Sequence, residues 1–286
     1  MVKIITDSTC DLTKERMEEI GVTCVPLTVH IGNDIYLDGV DLSKAEFYEK
    51  LRTEKSFPTT AQPTPHTFEE VFTAALEEAD EVVCLLISSE LSGTVQSANI
   101  AKNTMEREEI HILDSRTTCL SLGLLVEIAA QRAKEGKTAA EIMTELEGLT
   151  SRVRICAGIE TLEYLKKGGR ISAATAFLGS AMAALGTMLN IRPLMGILDG
   201  KVLMLGKARG NKKMYAQLKQ MVEEEGIDDA YPVLLGHAQS MENYEKFKEA
   251  CGDLIEGRTQ LYGDIGCVVG AHAGPGIVGI AFIKKV

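Results

Sequence analysis

Val82-Val83-Cys84-Leu85-Leu86-Ile87 runs straight into Ser88-Ser89-Glu90-Leu91-Ser92-Gly93-Thr94. Six apolar residues without a polar break describe a strand buried on both faces. The serines, glycine and threonine at its exit describe the start of a helix, expected near 95–105. Upstream, an apolar run over 2–5 closed by Thr6-Asp7-Ser8 gives a first strand, and a helix over 14–20 stops at Gly21. Residues 22–31 are rich in β-branched side chains and read as a second strand, with Asn33, Asp34 and Gly39 as turns. Ser43 and Glu46 form a capping box, 56–65 is a polar loop, and Thr64-Pro65 opens a helix to about Ala79. Downstream come a strand over 110–113, a helix from Thr118 to Gly136 and another capped by Thr138 and Glu141. Short apolar strands alternating with helices predict a mostly parallel, Rossmann-like sheet with helices on both faces.

The pattern changes after residue 153. A strand over 155–159 and a short helix over 161–167 lead to a break at Gly168-Gly169-Arg170 and an alanine-rich helical region over 172–189. Strands over 191–198 and 202–205 flank Asp199-Gly200, a strong hairpin signal. A helix over 212–225, a strand over 233–235 and a helix from Ser240 to about 255 follow. The last strands, 260–265 and 277–284, flank a glycine-rich turn. Hairpin-connected strands imply a mixed or antiparallel sheet. The expectation is an α/β protein of two lobes, an N-terminal domain over 1–153 and a C-terminal α/β domain over 154–286.

A chain of 286 residues with 45% apolar and 25% charged residues builds sizeable cores, and with no tryptophan those cores are aliphatic. The net charge of −11 repels nucleic acid and anionic membrane surfaces, so no nucleic acid partner is expected. Lys207, Arg209, Lys212 and Lys213 form the one basic cluster worth weighing, as a partner-docking patch or as a solvated helix start. Seven scattered cysteines form no C-x-x-C pair and suit a reducing cytoplasm. No apolar run is long enough for a signal peptide or an integral membrane segment.

Four segments have the residue types for chemistry. Residues 88–94 join a buried strand to a helix at the carboxyl edge of a parallel sheet, where ligands settle and a helix start offers unpaired N–H groups to an anion. Simple helix capping explains the same hydroxyls. Pro58-Thr59-Thr60-Ala61-Gln62-Pro63 is a stiffened loop with hydroxyls, or a plain turn. Gly168-Gly169-Arg170-Ile171-Ser172 frees Arg170 for an anion or for a surface ion pair. Gly270-Ala271-His272-Ala273-Gly274-Pro275-Gly276 sets a histidine among small residues, with room for a ligand beside it. The chain has no P-loop, no G-x-G-x-x-G opening its first helix, no G-x-S-x-G elbow, no H-E-x-x-H and no Cys/His cage for a metal. Hydroxyls, one arginine and one histidine suit holding an anion better than cleaving a bond, so neither a catalytic residue nor a cofactor is expected.

In these segments, in their order and spacing, the chain resembles the DegV family of bacterial lipid-binding proteins. The resemblance runs from Thr6-Asp7-Ser8 through Thr60-Ala61-Gln62-Pro63, Ser88 to Thr94, Asp114-Ser115 and Gly168 to Ile171, and ends with His272 to Gly276. It implies two α/β lobes with a long-chain fatty acid, such as palmitate, between them. It also implies that Thr60 and Ser92, with Gly93 and Thr94, hold the carboxylate, and that Arg170, His272 and Gly274 support it. The acyl tunnel is expected along 173–189. Ala61 departs from the serine that is frequent in the family. Family members serve as the acyl-carrying subunit of bacterial fatty acid kinase, so an ATP-binding kinase subunit is the implied partner and phospholipid metabolism the implied setting.

Burying about sixteen carbons at ~0.8 kcal/mol per methylene supplies up to ~10 kcal/mol, less the immobilisation of the chain. Two other readings stand beside the kinase subunit. One is a lipid buffer without a kinase partner. The other is an acyl hydrolase using Ser92 with His272.

Overall fold

The computed structural model describes residues 1–54, 56–170 and 190–286. Strands β1 (Val2–Asp7), β2 (Thr23–Val25), β6 (Glu81–Leu86) and β7 (Ile110–Asp114) form a four-stranded, wholly parallel sheet in the order β2-β1-β6-β7. Alternate residues of β6 explain its unbroken apolar character. Val82, Cys84 and Leu86 pack with Phe68, Phe72, Ala98 and Ala101 of helices Pro65–Glu78 and Thr94–Met105. Val83 and Leu85 face the opposite way, into the larger core.

The second lobe has a six-stranded sheet. Its strands are β8 (Val153–Gly158), β9 (Ile191–Leu198), β10 (Lys201–Arg209), β11 (Val233–His237), β12 (Gln260–Asp264) and β13 (Val278–Ile283), in the order β10-β9-β8-β13-β11-β12. All neighbours are antiparallel except β11 and β12, so the sheet is mixed. Asp199 and Gly200 both have positive φ, as the tight hairpin between β9 and β10 requires. One face of the sheet packs on helices Asn211–Glu225 and Met241–Ala250.

Helix Cys119–Lys134 joins the lobes by packing on both sheets. Every residue from Cys119 to Ala130 is buried, which suits a helix apolar all round and in contact on every side. The one charge in that stretch, Glu127, is held by Arg16, with Nε at 2.7 Å and a terminal nitrogen at 2.8 Å. Leu120 lies so close to β11 and β12 that a Cβ on Gly236 or Gly263 would meet its methyl group at 2.6 or 2.4 Å.

Several elements depart from expectation. The run 22–31 is two strands in two sheets, β2 and β3 (Thr28–Ile31), separated at Pro26-Leu27, where proline offers no ladder donor. Strand β3 pairs with β4 (Asp34–Leu37) and β5 (Thr59–Ala61) in a small antiparallel sheet. Asp34 is thus a strand residue rather than a turn, and part of the polar loop is a strand. The helix after Ser240 breaks at Cys251 into Met241–Ala250 and Gly252–Ile255. The glycine-rich stretch before β13 contains helix Cys267–Ala273. Ile171, Ser172 and the expected tunnel segment 173–189 lie outside the described residues.

Candidate functional site

Helix Cys267–Ala273 is built by the other lobe. The N–H of Gly266 donates to Asp11 Oδ1 at 2.8 Å, and those of Cys267 and Val268 donate to the Asp38 carboxylate at 3.1 and 3.4 Å. Two buried carboxyl groups thus take the donors that a helix start leaves unpaired. Burial lifts the Asp11 carboxyl to about 7, although Lys44 and the Gly266 N–H pull the other way. Asp7 is likewise raised by burial. It accepts from the Thr9 N–H at 2.9 Å and from the Ile87 N–H at 2.7 Å, tying the exits of β1 and β6 together.

At the far end of helix Cys267–Ala273, His272 Nε2 lies 2.8 Å from Thr60 Oγ1 on β5. Burial, with the charge of Arg170 beside it, lowers the His272 pKa to about 4, so the ring is neutral at pH 7. Nδ1 is buried without a partner among the described residues and faces Gly168, where a Cβ would lie 2.3 Å from it. A buried N–H without an acceptor is rarer in folded proteins than an unpaired acceptor. The geometry therefore favours the proton on Nε2, donated to Thr60 Oγ1. The Thr60 hydroxyl then keeps its own proton for an outside acceptor.

The second polar wall comes from the loop after β6. Ser92 N–H donates to the Ser88 carbonyl at 3.1 Å, and the hydroxyls of Ser92 and Thr94 are 2.8 Å apart. Gly93 occupies the N-cap of helix Thr94–Met105, so no side chain takes that helix's first N–H groups. Gln62 packs on Gly93 so closely that a Cβ there would sit 2.2 Å from its Oε1, and its amide donates to Ser97 Oγ at 3.0 Å. Arg170 reaches over from the second lobe, with Nε 3.4 Å from the Leu91 carbonyl and a terminal nitrogen 2.8 Å from the Gly168 carbonyl.

Thr60, Ser92, Gly93, Arg170 and His272 line one cavity of about 390 Å³. That volume lies within the ordinary range for a small-molecule pocket. The rest of its described wall is mostly aliphatic, with Ile155, Met195, Ile197 and Val202 from the second sheet and Leu27 and Ile87 from the first lobe. Thr94 and Gly274 do not reach the wall. Thr94 is buried behind Ser92, and Gly274 closes helix Cys267–Ala273 with φ +81° against the Tyr164 ring. His272 is placed by helix Cys267–Ala273, in its last turn. Gln62, Thr9 and Thr118, none of them a site residue expected from the sequence, also line the cavity. Gln62 carried a signal, lying in the quoted motif.

His272 is bonded to Thr60 and Ser92 to Thr94, so the pair that a serine hydrolase needs is not assembled. Lys207 and Arg209 are exposed on edge strand β10, and Lys212 and Lys213 are exposed in the first turn of helix Asn211–Glu225. None of the four lines the cavity. Among the described residues no group of acidic, histidine and cysteine side chains could hold a metal, and no helix is long and apolar enough to cross a membrane.

The family model described as "Uncharacterised protein, DegV family" matches residues 1–285. A DegV domain-containing protein of Caldanaerobacter subterraneus subsp. tengcongensis is 35% identical over 285 residues, covering 99% of both chains. One from Deinococcus radiodurans is 38% identical, covering 98% of this chain and 97% of its own. The structure of a DegV family protein from Thermus thermophilus, reported for its fatty acid binding, superposes with a TM-score of 0.87 at 33% identity over 99% of each chain. A stearic acid-binding protein from Eubacterium ventriosum superposes with a TM-score of 0.86 at 28% identity, over 100% of this chain and 99% of its own. The family match over nearly the whole length and the shared two-lobed fold lead to one assignment: this chain belongs to the DegV family.

Proposed function

We propose that this protein binds a long-chain fatty acid such as palmitate in the cavity between its lobes, divided near residue 153. The observation that carries this reading is the cavity itself, where Thr60, Ser92, Gly93, Arg170 and His272 meet beside an aliphatic wall. The Thr60 hydroxyl, freed by a neutral His272, and the uncapped helix start at Gly93 donate to the carboxylate. Arg170 supplies a positive charge, and the aliphatic residues take the methylenes. Similarity to fatty acid-binding DegV proteins from Thermus thermophilus and Eubacterium ventriosum supports the ligand class.

The same reading makes the chain the acyl-presenting, non-catalytic partner of an ATP-dependent fatty acid kinase subunit in the cytoplasm. Arg170 is exposed, which suits a carboxylate end that faces the opening, where a second protein can reach it. Lys207, Arg209, Lys212 and Lys213 are the proposed docking surface. With fatty acid and ATP, the protein alone forms no acyl phosphate trappable by hydroxylamine, and addition of an ATP-binding kinase subunit produces it. Acyl phosphate formed by the protein alone would overturn the division of labour. Undiminished product after charge reversal at the four basic residues would remove them from docking.

A further inference from the structure

One residue outside the cavity wall holds three of the segments that build its polar end. Tyr164 lies half-buried on the short helix Glu163–Lys167. Its ring packs against Gly274, where an added Cβ would lie 2.4 Å from Cδ2, and Gly274 ends the helix that carries His272. Its carbonyl accepts the Gly168 N–H at 2.8 Å, which fixes the glycine that faces His272 Nδ1 and leads to Arg170.

The third contact crosses to the first lobe. The Tyr164 and Phe57 rings have centroids 5.6 Å apart and planes at 33°, a separation at which aromatic pairs attract. Lys167 places Nζ 5.2 Å from the Phe57 ring centroid and is itself held by Glu163 at 2.7 Å. Between Phe57 and strand β5 stands only the buried Pro58, whose ring fixes φ. A shift of Phe57 therefore passes to Thr60 instead of being absorbed by the chain. The Thr60–His272 bond, at 2.8 Å, weakens steeply with misalignment, so both of its elements must be held.

We propose that Tyr164 is a positioning residue for the fatty acid carboxylate. Its stack on Phe57 and its contact with Gly274 hold β5 and helix Cys267–Ala273 in register, so that the Thr60–His272 bond forms and the Thr60 proton is left for the ligand. This rests on the reading of the cavity as a fatty acid site. Tyr164 makes these contacts through its ring and its carbonyl, so phenylalanine at this position performs the same task.

The test reads His272 itself, by nitrogen NMR of isotope-labelled histidine rings in the intact, ligand-free protein. The His272 signals are identified by their absence from His272→Gln. The wild type and Tyr164→Phe are expected to show one neutral tautomer, protonated at Nε2. Tyr164→Ala should show mixed tautomers, as should Phe57→Leu, which gives the answer if the alanine variant does not fold. Octadecanoic acid should bind roughly three- to tenfold more weakly to these two variants, and to Tyr164→Phe as to the wild type. Neither variant should add a further loss to Thr60→Val. A single Nε2 tautomer in both variants, or losses that add in full to that of Thr60→Val, would overturn the proposal. Should the wild type take up no octadecanoic acid, the fatty acid reading fails and the ligand half of this proposal with it. The tautomers, read without ligand, still decide whether Tyr164 places His272.

Discussion

Thr60 and His272 stand 212 residues apart in the chain and 2.8 Å apart in space, joined through Oγ1 and Nε2 across the two lobes. This bond decides what each group can do. The neutral imidazole spends its proton on Thr60, which leaves the Thr60 proton for a ligand carboxylate.

Removing the relay should therefore have a non-additive effect. Thr60→Val is expected to weaken fatty acid binding about tenfold, the loss of one charge-assisted hydrogen bond. His272→Gln should weaken it less, and the double variant should be close to Thr60→Val alone. Isothermal titration of the three variants checks this. Fully additive losses would show that His272 contacts the ligand independently. Ser92→Ala should weaken binding separately, because its hydroxyl bonds Thr94 on another element.

The His272 pKa should be measured near 4 by NMR titration of the ring protons. Its folded value lies below the ordinary 6.5, so the stability it contributes is present above pH 6.5 and is lost as pH falls toward 4. A ring titrating near 6.5 would mean that the site is wetter than described.

Asp11 behaves in the opposite sense. Its folded pKa of about 7 lies above the ordinary 3.8, so its contribution is full below 3.8 and is lost as pH rises through 7. Asp11→Asn should flatten the fall in melting temperature between pH 4 and pH 7 while keeping the acceptor for Gly266. Parallel curves for the two proteins would contradict the assignment.

Gly168→Ala should damage the site more than the fold. The added methyl would lie 2.3 Å from His272 Nδ1 and 3.1 Å from the Tyr164 carbonyl, so the imidazole must shift. The expected result is weaker fatty acid binding with a stability loss of about 1–3 kcal/mol, read by calorimetry and denaturant melts. Unchanged affinity would mean that the ring position does not matter to the ligand.

The parallel sheet was legible because its strands β1, β6 and β7 each leave a local mark, whereas β2 merged with β3 into one β-branched run. The β6 run 82–87 has no polar break, since both faces are covered, and Asp199-Gly200 announces its hairpin by residue type alone. The capping boxes at Ser43 and Thr138 formed as their spacing predicts. Strand β5 and helix Cys267–Ala273 left no such mark, because their partners are distant. Thr60 pairs with Val29, and the helix is started by Asp11 and Asp38 from the other lobe. The polar half of the site was visible as motifs for the same reason that the apolar half was not. Ile155, Met195 and Ile197 look like any inward-facing strand residues until the cavity beside them is seen.

The central claim is tested most directly by native mass spectrometry of the purified protein, with organic extraction and identification of whatever is released. The account predicts a mass excess of one long-chain fatty acid per chain, lost on extraction and restored by added fatty acid. A bare protein that takes up no added fatty acid would contradict it.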